Sequence, residues 1–213
     1  LNCYFNLPET EKVLRETINK DNNNFPRYNF FLSNYLIFKD KVKEAQKVIS
    51  KSRIENNSNL LLKQTEKFII KKKVSKIKNF FDCSNPKDSI AENFYIMANL
   101  YSTQDNYNLS NFYLNIAIFL NNKFKPYKAL VAENYYFQEK FALSQENFHS
   151  IKSIGSVYSW YAAKNIARIK LKNSSDESYK KKIIESLQKE FNLLLKPNFE
   201  DYYELANFYS ENE

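Results

Sequence analysis

The sequence predicts an all-α fold, an α-solenoid of antiparallel helical hairpins, on three observations. Ala98 and Ala132, Tyr101 and Tyr135, and Ser110 and Ser144 are each 34 positions apart, the period of a helix-turn-helix repeat. Apolar residues along the rest of the chain recur three and four apart, as on one face of a helix, rather than in alternation. One glycine and five prolines stand against 16 tyrosines and 18 phenylalanines, a poor supply of turn residues for strands joined by tight hairpins.

The elements follow in order. Asn6, Pro8 and the acidic residues after it predict a capped helix over about 8–19, with Val13, Leu14 and Ile18 as its apolar face. Asp21 to Asn24 read as a polar loop. From Pro26 to Ser52 two stripes, Phe31, Leu32, Tyr35, Leu36 and Phe38 and then Val42, Ala45, Val48 and Ile49, flank a break at Lys39 to Lys41. So short a break makes the helices antiparallel neighbours, with Ser33 and Ala45 at the close crossing. Leu60 to Phe81 gives a second, shorter pair that keeps the register poorly, ended by Pro86.

The best-preserved stretch, Ala91 to Ser156, holds two copies of the unit. In the first, a helix starting at Asp88 or Ser89 carries Phe94, Met97, Ala98 and Tyr101. Asp105-Asn106 turns the chain, since Asp and Asn tolerate the left-handed conformation. The second copy turns near Glu139-Lys140. Gly155, the only glycine, marks the junction to a helix bearing Trp160, Ala163 and Ala167. An insertion at Asn173 to Asp176 lengthens the last turn before Tyr179, Ile183, Leu187 and Phe191. A final helix over Phe199 to Tyr209 extends the alanine series to Ala206.

These patterns make residues 1–213 a single domain, with hairpins over about 26–52, 59–82, 89–122, 125–153 and 157–196 and incomplete ends. A chain this long buries roughly 70% of its unfolded surface, and 43% hydrophobic with 26% charged residues argues against general disorder. The net charge of +8 favours acidic partners. However, Lys, Asn, Ile, Phe and Tyr are abundant together, as in genes rich in A and T, which accounts for the charge without such a partner. Cys3 and Cys83 form no metal-binding spacing and no disulfide framework; they are expected as free thiols, which leans towards a reducing compartment. No apolar run is long enough to span a membrane. The chain starts at Leu1 and is read as a processed or trimmed piece.

Phe94, Met97, Ala98, Tyr101, Ser110, Leu114 and Ala117, then Val131, Ala132, Tyr135, Ser144, Phe148 and Ile151, resemble the tetratricopeptide repeat family. Leu32, Ser33, Leu36, Ala45 and Ile49 fit as well. The resemblance implies stacked helix pairs in a superhelix and a non-enzymatic scaffold that binds a peptide or partner protein in its concave groove. It places Glu92, Tyr95, Asn99 and Ser102 from one unit, and Glu133 and Tyr136 from the next, on the first helices that line that groove. A clamp for a peptide carboxylate is not expected, because Leu130, Tyr161 and Asn165 stand where cations are required.

No residues suggest catalysis, a cofactor or a metal. His149 is the only histidine and pairs with no nucleophile or ligand set, and no phosphate loop exists. Lys71 to Lys73 with Lys76 and Lys78, and Lys180 to Lys182, offer the alternative of a basic module for nucleic acid or a membrane surface; a further alternative is an accessory repeat domain of a larger assembly factor. The aromatics beside these lysines sit at core spacing rather than as stacking platforms, so nucleic acid is disfavoured.

Overall fold

One helix-ending turn, used four times, shapes the chain. The computed structural model describes residues 2–19, 25–172, 176–194 and 197–210. Among these it places α1 (Thr10–Asn19), α2 (Pro26–Phe38), α3 (Val42–Glu55), α4 (Leu60–Ile70), α5 (Val74–Lys78) and α6 (Pro86–Ser102). There follow α7 (Tyr107–Leu120), α8 (Tyr127–Phe137), α9 (Phe141–Ile151), a 3-10 turn at Lys152–Ile154, α10 (Ser156–Lys172), α11 (Glu177–Asn192) and α12 (Phe199–Ser210). The described residues are helical or irregular, without a strand.

After α2, α4, α6 and α8 the backbone turns left-handed at Asp40, Lys72, Asp105 and Glu139, with φ of 59°, 55°, 58° and 57°. Two bonds close each turn. Asp40 N–H donates to Ile37 O (3.1 Å) and Lys41 N–H to Leu36 O (2.8 Å), and equivalent pairs form at Lys72-Lys73, Asp105-Asn106 and Glu139-Lys140. This is the Schellman helix ending, which satisfies the last carbonyls and reverses the chain. The four positions are 32, 33 and 34 residues apart, so the hairpin of α4 and α5, irregular in sequence, shares its neighbours' turn. The left-handed conformation costs a residue with a Cβ about 1–2 kcal/mol. Asp40 and Asp105 are of the short polar kind that tolerates it, whereas Lys72 and Glu139 are not.

Small residues sit at the close helix crossings, as the spacing predicts. Ser33, Ala45, Ala98, Ser110, Ala132 and Ser144 are all fully buried. Ser33 Oγ donates to Ala45 O (3.4 Å) and Ser144 Oγ to Ala132 O (2.8 Å), so a hydroxyl bonds the backbone of the facing helix at two equivalent crossings. The small side chain permits the approach, and its hydroxyl is satisfied where water cannot reach.

The chain forms two compact units, Leu1–Tyr127 and Lys128–Glu213. In the first, α2 packs against α1, α3, α4 and α5. It is therefore buried on nearly every side, with Phe30, Leu36 and Ile37 inaccessible. Its Asn34 Nδ2 donates to Ile77 O at 3.0 Å, and Phe30 meets Phe124 edge-on. The second unit closes around Trp160, Ile183, Leu187, Phe191, Leu205 and Phe208, each large apolar side chain contributing roughly 1.5–3 kcal/mol by burial.

Several expectations change. Cys3 and Cys83 are not free: they are joined by a disulfide, with Cα atoms 5.7 Å apart. Eighty residues separate the two, so no local spacing could announce the pair. The first helix begins at Thr10 rather than Pro8, with Asn6 in a left-handed turn (φ 50°). The long helix begins at Pro86, capped by Asn85, whose side chain accepts from Lys87 N–H at 3.2 Å. Gly155 is in extended backbone (φ 165°) that any residue adopts. Ala206 is exposed, so the alanine series of buried crossings ends at Ala167, and α12 uses Leu205 and Phe208 instead. The loop at Asp21 to Asn24 and the insertion at Asn173 to Ser175 lie outside the described residues, while Asp176 caps α11.

Candidate functional site

The densest polar constellation of the first unit is built around Glu92, one of the residues expected on a groove. Glu92 lies on the inner side of α6, 6% exposed. Arg27, one residue into α2, reaches it with Nη2 to Oε1 at 2.5 Å and Nε to Oε2 at 2.9 Å, a bidentate pair. The Tyr127 hydroxyl, at the start of α8, donates to Glu92 Oε1 at 2.5 Å. The guanidinium carbon stands 4.0 Å from the Tyr95 ring centroid, and Tyr95 stacks on Tyr127 at 5.3 Å. Burial works to lower the Arg27 pKa, but the Glu92 carboxylate more than offsets it and holds the guanidinium charged. Burial, then Glu92, pushes the Tyr127 phenol well up, so it stays a donor.

Glu92 and Tyr95 are thus committed to one another's neighbourhood by a partner 65 residues earlier, and a local pattern could not reveal it. Helical spacing carried no signal either: Asn99 is seven positions from Glu92 and on nearly the same side of α6, yet only Glu92 is buried. The other α6 positions differ. Asn99 is exposed and Ser102 half-buried, so the structure brings Glu92 and Tyr95 together and leaves Asn99 facing solvent.

In the second unit, Glu133 accepts a hydrogen bond from the Tyr161 hydroxyl. Burial raises the Glu133 pKa despite that bond, and burial with Glu133 raises that of Tyr161. Tyr136 is half-buried, its ring tilted against Phe141 at 5.9 Å. Lys164, nearly buried on α10, pairs with Glu204 of α12; burial lowers its pKa and the carboxylate partly restores it. Glu190 on α11 gathers Lys152 and the Ser159 hydroxyl (2.8 Å).

The remaining candidates are less organised. His149 is exposed, its pKa lowered by partial burial and by Lys152 and Lys170. Among the described residues no group of three or more His, Cys, Asp or Glu could hold a metal ion, and no helix is long and apolar enough to cross a membrane. Lys71 to Lys73 are exposed at the turn after α4, but Lys76 lies over Phe68 and Lys78 reaches Asp40 at 3.5 Å. A shallow depression of about 550 Å³ on α11 is lined by both lysines and glutamates, with Tyr209 at its edge. Its charges are of both signs and select no ligand.

Neither a scan against protein-family models nor searches of curated proteins and of solved structures returned a match to this chain.

Proposed function

We propose that this chain is a non-enzymatic interaction module, an α-solenoid of tetratricopeptide type that holds a peptide or partner protein against its first helices. The observation that carries the reading is the fourfold Schellman turn at 32- to 34-residue spacing, joined to buried small residues at the crossings. Such hairpins are units that bury their faces against neighbours and offer the rest for binding. Within the first unit the binding residues are Asn99 and Ser102 of α6, since Glu92 and Tyr95 are held by Arg27 and Tyr127 and set the helix in place. Within the second unit Tyr136 has the corresponding role on α8, with Glu133 steadied by Tyr161. Asparagine supplies adaptable hydrogen bonds and tyrosine amphipathic area at low entropic cost.

The test is a photoreactive residue, benzoylphenylalanine, placed in separate variants at Asn99, at Tyr136 and at the exposed α3 residue Ile54, followed by irradiation in the producing cells. Adducts to another protein from the Asn99 and Tyr136 variants, and not from Ile54, are the expected outcome. Adducts from Ile54 alone, or from none of the three, would overturn the reading.

A further inference from the structure

The segment before α2 is held to the first unit by a strong covalent tie and weak contacts. Of residues 10–18 only Thr10 is buried, and its hydroxyl donates to Leu7 O at 2.7 Å, within the same segment. By contrast, α2 buries Phe30, Leu32, Leu36 and Ile37. The first helix packs on α2, and its polar links run to the turn between α2 and α3. Lys39 Nζ donates to Asn6 Oδ1 at 3.0 Å, Lys41 Nζ to Glu11 Oε2 at 2.8 Å and Arg15 Nη2 to Glu44 Oε2 at 3.0 Å. The side chains of the two ion pairs are between 25% and 46% exposed, and pairs so open to water contribute little against the entropy of ordering a helix. The other end of the disulfide is built differently. Cys83 lies between α5 and α6, where Ser84 N–H and Oγ donate to Asp82 Oδ1 at 2.9 and 2.6 Å. Asp82 N–H donates to Asp88 Oδ2, and Asn85 Nδ2 to Asp88 Oδ1, both at 2.9 Å. These bonds fix that loop on the start of α6 without help from the disulfide.

We infer that the Cys3–Cys83 disulfide is a redox latch: it holds residues 2–18 as a strap against α2, and a dithiol reductant releases the strap while the rest of the first unit stays folded. The connectivity carries the inference. In the oxidised chain the strap is tied at both ends, through Cys3 to Cys83 and through the chain into α2, so α1 stays at a high local concentration beside its docking place. In the reduced chain one end is free, and only the exposed pairs and the half-buried Leu14 and Ile18 oppose release. Both cysteines are half-buried rather than enclosed, so a thiolate reaches the bond. It attacks one sulfur and breaks the S–S bond through a mixed disulfide, and the reductant's second thiol then expels the remaining cysteine. Two electrons and two protons pass to Cys3 and Cys83, and the dithiol leaves as its own disulfide. Release uncovers the side of α2 on which α1 lies, so the strap is a cover supplied by the chain itself. The latch involves neither Asn99 nor Tyr136 and is independent of the binding role proposed for them.

The experiment is hydrogen–deuterium exchange of the whole chain without denaturant, before reduction, after dithiothreitol and after reoxidation. Thiol titration alongside should find the bond intact at first and fully opened by dithiothreitol. The amides of residues 10–18 should then exchange at least about tenfold faster, while those of α2 and of residues 82–88 change by less than about twofold. Reoxidation should restore the slow pattern. Cys3→Ser/Cys83→Ser should show the fast pattern and no response to dithiothreitol. Should that variant misfold, as judged by circular dichroism, alkylating the reduced parent with iodoacetamide holds the open state without a substitution. Free thiols in the unreduced chain, or a bond that dithiothreitol opens only in denaturant, would overturn the inference. So would exchange in residues 10–18 that reduction leaves unchanged, or acceleration spread equally over α2 and residues 82–88.

Discussion

Replacing Glu92 by alanine distinguishes a groove residue from a structural one. The carboxylate receives both nitrogens of Arg27, at 2.5 and 2.9 Å, and the Tyr127 hydroxyl at 2.5 Å. Removing one member of a buried pair costs about 3–5 kcal/mol, because the other is left uncompensated. The Arg27 side chain is 23% exposed against 8% for Glu92, so water relieves the stranded guanidinium more easily than it would a stranded carboxylate. Glu92→Ala is therefore expected near the lower end, about 3 kcal/mol. Arg27→Ala falls near the upper end, about 5 kcal/mol, since it also removes the contact with Tyr95. The double variant Arg27→Met/Glu92→Leu should lose far less than the sum, about 1–3 kcal/mol, the cost of leaving the buried Tyr127 hydroxyl without its acceptor. Urea unfolding followed by far-UV circular dichroism measures all three, while the single tryptophan, Trp160, reports separately on the second unit. A Glu92→Ala variant within about 0.5 kcal/mol of the parent would refute the reasoning and return Glu92 to the solvent-facing role the sequence suggested.

The other predictions rest on separate features. Lys72→Gly should stabilise by about 0.5–1 kcal/mol, as a higher melting temperature, because glycine adopts the left-handed turn without a Cβ penalty although it gains entropy when unfolded. Ala98→Leu should overpack the α6–α7 crossing and destabilise by about 1–3 kcal/mol, seen as a lower urea midpoint. Reducing the Cys3–Cys83 disulfide should cost about 4–5 kcal/mol through the freed loop, visible as a lower midpoint in reductant, and thiol titration of the unreduced chain should find no free thiol. Burial raises the Glu133 pKa, so its contribution to stability is fully present below the ordinary carboxylate range and is lost as pH rises through the raised value. Glu133→Gln, which still accepts from Tyr161, should remove that loss and raise stability at neutral pH, read from melting curves across pH.

Much of the architecture was legible because it depends on short-range spacing. Ser33 with Ala45, Ala98 with Ser110 and Ala132 with Ser144 are each 12 residues apart and fully buried; a helix crossing demands small side chains at that separation, and the demand is written locally. The turns at Asp40 and Asp105 were readable for the same reason. Lys72 and Glu139 were harder, since their side chains show no preference for the left-handed conformation and the helix-closing bonds override it. The site was mostly hidden. Glu92 and Tyr95 look like groove residues until Arg27, 65 positions earlier, is brought against them, and Cys3 and Cys83 look unpaired for the same reason. Contacts made by folding over long separations leave no period to detect. Asn99, seven positions on from Glu92 and so on nearly the same side of α6, stays exposed, a difference that spacing alone does not show.

The proposed function assigns binding to Asn99 and Ser102 in the first unit and to Tyr136 in the second, with the Arg27 cluster only supporting α6. Titration calorimetry of the cross-linked partner, purified, against the parent chain and Asn99→Ala/Tyr136→Ala measures this directly. The expected result is at least a tenfold loss of affinity, about 1.4 kcal/mol, with helicity by circular dichroism unchanged. Equal affinity for the two chains would contradict it.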